Sequence, residues 1–419
     1  MPTCSRSGFR AVLLIVAAGL PTATIAAEPV PLFSPLPETA AKQATADRVL
    51  AAARTDRAVV ASRLVRADAA QVAEATETLL LELEPGITLR SERQVAYRNP
   101  DGTLVWSGLI GDLEATKARL RLFGDAEIAD DPHASVLIVR NGDKLTGTAR
   151  VGGRLYRILP LANGGHMVNR VDEALMPPDH PHDYDPIPRA PLHLDAGAAD
   201  DKANTVIRVG VLVANSAANA IGDVVGFANL AVAESNQGYA NSGVAVTLRL
   251  AGVYTIAYNS AGFSTDLYRF AANGDGYLDG WHATRDRIAA DVNVMVVNNS
   301  SSCGVGYLNS SAASAFSVAH YGCATGYYTF AHEIGHNFGA HHNPQAPANN
   351  TVYPYGHGYL HPGSSWRTVM AYDCRAGCPR INYWSNPGRT YRGAAMGTTR
   401  THDNVRLLNL RRGTLAGFR

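Results

Sequence analysis

Hydrophobic and polar positions divide the chain into two stretches of different rhythm. From Thr205 onward, residues 206–213 form a near-continuous β-rich run, residues 224–240 carry a helical period and residues 244–254 alternate. Residues 291–297 are a second buried-strand candidate, following an amphipathic segment at 285–290. Strands alternating with helices predict an α/β domain with a mostly parallel, twisted sheet covered by helices. Residues 303–321 read as an edge strand or a loop region.

Upstream the rhythm differs. Residues 41–84 are rich in Ala, Leu, Arg and Glu, a composition that favours helix. From about residue 87 to 169, short strand-like runs at 103–107, 134–139 and 154–160 are separated by Asn99-Pro100-Asp101-Gly102, Asn141-Gly142 and Gly152-Gly153. This predicts a smaller α+β unit, so the chain is α+β overall. Between the two lies a linker in which Pro177, Pro178, Pro181, Pro186, Pro188 and Pro191 are interleaved with Asp and His. Such a segment cannot form regular helix or sheet and is expected to be exposed.

A chain of 419 residues suits two domains and a processed end. The end reads as an export signal: Arg6 and Arg10, an apolar stretch over residues 11–20, then Ala26 and Ala27. That stretch is too short to span a bilayer, which needs roughly 20 residues, although an uncleaved anchor is the alternative. The expected organisation is therefore a signal peptide at 1–27, a pro-region at 28–176, a Pro/Asp-rich linker at 177–204 and a catalytic domain at 205–419. Net charge is +1, from 37 basic and 36 acidic residues, which gives no reason to invoke nucleic acid or an anionic membrane. Removing Cys4 with the signal leaves Cys303, Cys323, Cys374 and Cys378. An even number in an exported chain suggests two disulfides, and closeness in sequence favours Cys303 with Cys323 and Cys374 with Cys378; two of them binding metal is the alternative. The expected location is secreted or periplasmic.

The chemistry concentrates in His332-Glu333-Ile334-Gly335-His336-Asn337-Phe338-Gly339-Ala340-His341-His342. Four residues apart, His332 and His336 share one helical face and can bind one tetrahedral ion. Gly339 can take a positive φ and end the helix, bringing His342 to the same ion. Three neutral histidines leave the fourth position to water, the open arrangement of a catalytic zinc. Glu333 cannot share the direction of His332 but can reach that water as general base. His341 is a rival third ligand by adjacency. The loop Asn273-Gly274-Asp275-Gly276-Tyr277-Leu278-Asp279 has alternating oxygen donors, which makes calcium a weak candidate; it lacks the distal Glu of an EF-hand, and a plain Gly/Asp turn suits it better.

The pattern His-Glu-x-x-His-x-x-Gly-x-x-His resembles the metzincin zinc peptidases. The resemblance implies a zinc helix and a Met-containing turn beneath the metal, and Met370 in Arg367-Thr368-Val369-Met370-Ala371-Tyr372 fits that turn. It also implies that Tyr372 can approach the zinc and donate to the oxyanion, as in astacin-like members; a Tyr merely packed near the pocket is the other reading. Residues 205–419, with Cys303-Gly304-Val305-Gly306, Asp373-Cys374, Trp384-Ser385-Asn386-Pro387 and Asp403-Asn404-Val405-Arg406, look like bacterial reprolysin-like peptidases and, among these, the peptidyl-Asp metalloendopeptidases, which cleave before acidic residues. An acid-directed pocket needs a cation, for which Arg375, Arg380, Arg389 and Arg392 are candidates.

The expected activity is hydrolysis of peptide bonds in protein or peptide substrates, with specificity on the amino side of Asp or Glu. The alternatives are a broad-specificity reprolysin- or astacin-like protease, a hydrolase of another amide, and a catalytically silent zinc-stabilised binding module. The pro-region is expected to inhibit its own enzyme. It holds no cysteine to cap the zinc, so latency needs another device. Asp179, His180, His182, Asp183 and Asp185 are potential ligands, with solvated turn residues as the competing reading. The bonds Leu194–Asp195 and Ala199–Asp200 suit self-processing.

Overall fold

The computed structural model describes residues 30–36, 53, 55–111, 113–181, 204–346, 353–363, 365–374 and 377–419. The signal segment, the linker acids Asp183 and Asp185 with His182, the bonds at Asp195 and Asp200, and Arg375 lie outside the described residues.

The N-terminal unit is one antiparallel sheet of nine strands: β1 (Phe33–Pro35), β2 (Val59–Ala67), β3 (Thr78–Glu84), β4 (Ile87–Arg98), β5 (Leu104–Ile110), β6 (Ala134–Asn141), β7 (Lys144–Val151), β8 (Arg154–Pro160) and β9 (His166–Val171). Their spatial order is β1-β2-β9-β8-β7-β6-β5-β4-β3. A helix at Leu113–Phe123 joins β5 to β6. The helix expected from composition over residues 41–84 is absent from its described second half, which forms β2 and β3. In β3 alternate residues Leu79, Leu81 and Leu83 point into the core. A two-residue burial period and pairing with β4 outweigh the weak helical preference of Leu and Glu.

The second unit carries a five-stranded sheet of β10 (Thr205–Ala214), β11 (Val246–Ile256), β12 (Val292–Val297), β13 (Gly304–Gly306) and β14 (Phe316–His320), in the order β11-β10-β12-β14-β13. All pairings are parallel except β13 with β14. Every residue of β12 is buried, as expected for a strand covered on both faces. β13 is therefore an antiparallel edge, and Cys303–Cys323 ties its start to the segment after β14. The second disulfide joins Cys374 to Cys378.

The Val224–Ser242 helix begins where the Asp223 carboxylate accepts from Gly226 N–H (3.1 Å) and stops at Gly243, whose φ is 81°. It is buried nearly all round because it lies between two sheets. Leu230 and Ala233 pack on Val105, Leu137 and Val139 of the N-terminal sheet, while Phe227, Ala228 and Ala231 join the core of the second unit. Among the described residues no single helix is long and apolar enough to cross a membrane. In the Asn273–Asp279 loop the Asp279 carboxylate accepts from the N–H groups of Gly274, Asp275 and Gly276, so it closes a turn.

Candidate metal centre

The Thr329–Phe338 helix crosses under the edge of the second sheet and is buried along its whole length. Gly339, at φ 100°, ends it and allows the chain to turn back. His332 Nδ1 pairs with Val369 O and His336 Nδ1 with Ala340 O, each at 2.8 Å, which turns both Nε2 atoms to the same side. His342 Nε2 joins them, 3.3 Å from His332 Nε2 and 3.0 Å from His336 Nε2. His341 is turned away: its Nδ1 accepts from His342 N–H at 2.9 Å.

A fourth nitrogen completes the set. His180 Nε2 lies 3.1 Å from His332 Nε2, 3.3 Å from His336 Nε2 and 2.8 Å from His342 Nε2. A tetrahedral zinc with Zn–N of about 2.0–2.1 Å has N···N edges of roughly 3.3 Å, so the spacing and the all-imidazole donor set fit the ion. Burial holds all four imidazoles well below their usual pKa, His180 at about 3, which keeps them neutral and fit to bind a metal. In the full-length chain the His180 imidazole thus stands beside the three expected ligands, within reach of the same ion. The reading of His180 as a solvated turn residue is corrected, since it is 5% exposed. The signal for it in the sequence was one His beside an Asp in a Pro-rich stretch, with no spacing to distinguish it from His182.

Glu333 is fully buried, and among the described residues neither carboxylate oxygen has a hydrogen-bond partner. Burial, and after it the negative Asp179, push its pKa well above the ordinary value, against an opposing pull from Arg380. The carboxylate lies against β13, where a Cβ on Gly304 would meet Oε1 at 2.4 Å. Beneath the helix, a Cβ on Gly335 would meet the Met370 sulfur at 2.7 Å and the Trp384 ring at 2.8 Å, so only glycine lets the floor rise so close. The Tyr372 ring stacks on that of His342 with centroids 4.1 Å apart.

Of the four arginines considered for an acidic side chain, Arg380 is buried beside the site; Arg389 and Arg392 lie elsewhere, Arg392 near Asp131. Arg367, not among those four, stands with Arg380. Arg380 Nη2 donates to Asp179 Oδ1 at 2.8 Å, and Arg367 Nη1 to Asp179 Oδ2 at 3.2 Å. The two cations hold the Asp179 carboxyl below its usual pKa despite burial.

Residues 203–385 match the family model Reprolysin_5, described as metallo-peptidase family M12. The chain is 42% identical over 391 residues to a peptidyl-Asp metalloendopeptidase of Xanthomonas campestris pv. campestris, covering 92% of each chain. The chain belongs to this family of metzincin-like zinc metallopeptidases. It is also 41% identical over 405 residues to a peptidyl-Asp metalloendopeptidase of Stenotrophomonas maltophilia (strain K279a), covering 94% of this chain and 95% of that one. A zinc endopeptidase acting on protein or peptide substrates is thereby established, and the four-histidine cluster is where its described residues can hold the ion.

Proposed function

We propose that the chain is the exported, latent precursor of an endopeptidase that cuts on the amino side of acidic residues. The observation that carries latency is His180 Nε2 within 3.3 Å of the Nε2 atoms of His332, His336 and His342. In the precursor His180, His332, His336 and His342 would hold the ion; in the processed enzyme His332, His336 and His342 would hold it and leave room for a water. Zinc bound there supplies Lewis acidity and lowers the pKa of a water towards about 7. Glu333 takes the proton of the attacking water and hands it to the leaving amine. Its carboxylate lies against Gly304 and Gly306, where only glycine leaves it room. Tyr372, whose ring stacks on that of His342, would donate its O–H to the developing oxyanion. The names of the relatives, together with a pair of buried arginines beside the cluster, support a preference for acidic residues. Two disulfides, and the segment at 1–27, support export.

Further contacts hold the N-terminal unit on the second unit. Arg150 Nη2 donates to Gly326 O (2.7 Å) and its Nε to Tyr328 Oη (3.1 Å), while Arg157 reaches Gly322 O. Both arginines therefore grip the turn that leads into the His332 helix. The test is a full-length His180→Ala precursor beside wild type, assayed on a peptide with one Xaa–Asp bond while both remain uncleaved. Latency through His180 requires silent wild type and hydrolysis by the variant. A silent variant with full zinc content rejects it.

A further inference from the structure

We propose that Arg367 and Arg380 form the pocket that reads the acidic side chain of the substrate, and that Asp179-His180 occupies pocket and metal together as a built-in substrate mimic that runs backwards. This rests on the acid-directed reading above and names the residues responsible for it.

The pocket is made by side chains that are themselves fixed. Arg367 and Arg380 are fully buried. Arg367 donates to Tyr327 Oη (2.6 Å), Ala371 O (2.7 Å) and Cys378 O (3.3 Å); Arg380 donates to Tyr327 O (3.0 Å) and Ala371 O (3.2 Å). Both guanidiniums lie over the Tyr327 ring, at 5.1 and 4.4 Å. The Cys374–Cys378 disulfide closes the loop between them. Each guanidinium is thus held by groups other than Asp179, and two forked donors suit a carboxylate.

Charge balance points the same way. In the precursor the two cations face Asp179, and Arg367 also faces Asp373 at 3.5 Å. Glu173, which accepts from Arg380 N–H at 3.2 Å, belongs to the same N-terminal unit as Asp179. When that unit leaves, Asp179 and Glu173 leave with it. Of the carboxylates in ion-pair contact with the two guanidiniums among the described residues, Asp373 then remains. Two guanidiniums facing one remaining carboxylate leave a surplus of positive charge, so the vacated pocket favours an incoming carboxylate over a neutral side chain.

Direction follows from the chain itself. Cys303 N–H donates to Pro178 O (2.8 Å) and Gly304 N–H to Asp179 O (3.1 Å). Both partners climb together, so the segment runs alongside β13 in the same direction. Its metal-facing residue, His180, follows the acid. In a substrate cut on the amino side of Asp, the carbonyl facing the metal precedes the acid. A substrate that fills the same pocket must therefore cross antiparallel to β13. The mimic offers an imidazole where a scissile carbonyl belongs, which explains how an acid can sit in the pocket without being cut.

The test uses processed wild type and Arg380→Gln, with matched peptides holding one Xaa–Asp or one Xaa–Asn bond. Wild type should favour Asp, and Arg380→Gln should lower kcat/KM on the Asp peptide roughly 10- to 100-fold while leaving the Asn peptide nearly unchanged. An unchanged Asp/Asn ratio in the variant overturns the proposal. A wild type without preference for Asp defeats the acid-directed reading itself, and the two failures are thus separate. If Arg380→Gln is inactive on both peptides, full-length Glu333→Gln precursor decides, with and without Asp179→Asn. Removal of zinc by a chelator should be faster by roughly tenfold or more in the Asp179→Asn chain; equal rates overturn the proposal.

Discussion

His180 Nε2 lies 2.8 Å from His342 Nε2, across 162 residues of sequence. The first comes from the segment that leaves the N-terminal sheet, the second from the turn that ends the Thr329–Phe338 helix. Such an approach brings the N-terminal unit to the four-histidine cluster that can hold a metal ion, and on the reading proposed above it makes that unit a ligand of its own enzyme's metal.

Zinc should therefore be held more tightly by the precursor than by a chain lacking the fourth nitrogen. In a Glu333→Gln background, which prevents self-cleavage, His180→Ala should release zinc to a chelator faster, by roughly ten- to a hundredfold, the range seen when partners of a metal site are lost. Equal release rates would remove His180 from the metal.

Glu333→Gln in the processed enzyme should keep stoichiometric zinc and lose about 10²–10⁴ in turnover, since it removes the proton acceptor and leaves the histidines in place. Metal analysis beside single-substrate kinetics measures both. Wild-type turnover at equal zinc would show that another group takes the proton.

His342→Ala should empty the site on dialysis, whereas His341→Ala should not. His341 instead supports the turn, its Nδ1 accepting from His342 N–H. The expected result for His341→Ala is retained zinc with a modest loss of stability, about 1 kcal/mol for one hydrogen bond.

Much of this centre was legible beforehand because it is local. His332, Glu333, His336, Gly339 and His342 lie within eleven consecutive residues, so helical geometry alone places two imidazoles on one face and returns the third. The alternation of strand and helix after Thr205 was legible for the same reason. What was not legible is what depends on docking. Nothing in the pattern around Asp179-His180 shows that it packs on β13, because its partners Cys303, Arg367 and Arg380 are more than a hundred residues away. The strands β2 and β3 were hidden by Ala, Leu and Glu, whose preferences yield to pairing within a sheet.

Gly335→Ala should destabilise the catalytic unit by about 1–3 kcal/mol, the usual cost of overfilling a tight core. The added carbon would stand 2.7 Å from the Met370 sulfur and 2.8 Å from Trp384. Denaturant midpoints measure the loss; a wild-type midpoint would mean that the floor beneath the helix yields freely.

Stability should also depend on pH through Glu234, which sits on the sandwiched Val224–Ser242 helix. Its carboxyl meets Thr148 and Gly326 N–H, with Arg150 and Arg157 nearby, and burial raises its pKa from 4.5 to about 7. A raised pKa means that the folded state holds the proton more tightly. The contribution is thus full below about pH 4.5 and is lost as pH rises through about 7, a swing of at most roughly 3 kcal/mol. Thermal unfolding of the full-length chain should move in favour of Glu234→Gln between these values and stop changing above them. A constant difference across the range would rule Glu234 out as the titrating group.

The Val224–Ser242 helix is clasped by two sheets that belong to different units, and Arg150 and Arg157 bolt the same units together at a second place. Severing the chain beyond Pro181 breaks none of these contacts. If the N-terminal unit is the inhibitor proposed above, a freshly nicked molecule would be a complex of two pieces, silent when concentrated and active on dilution, with its awakening governed by dissociation rather than by the cut.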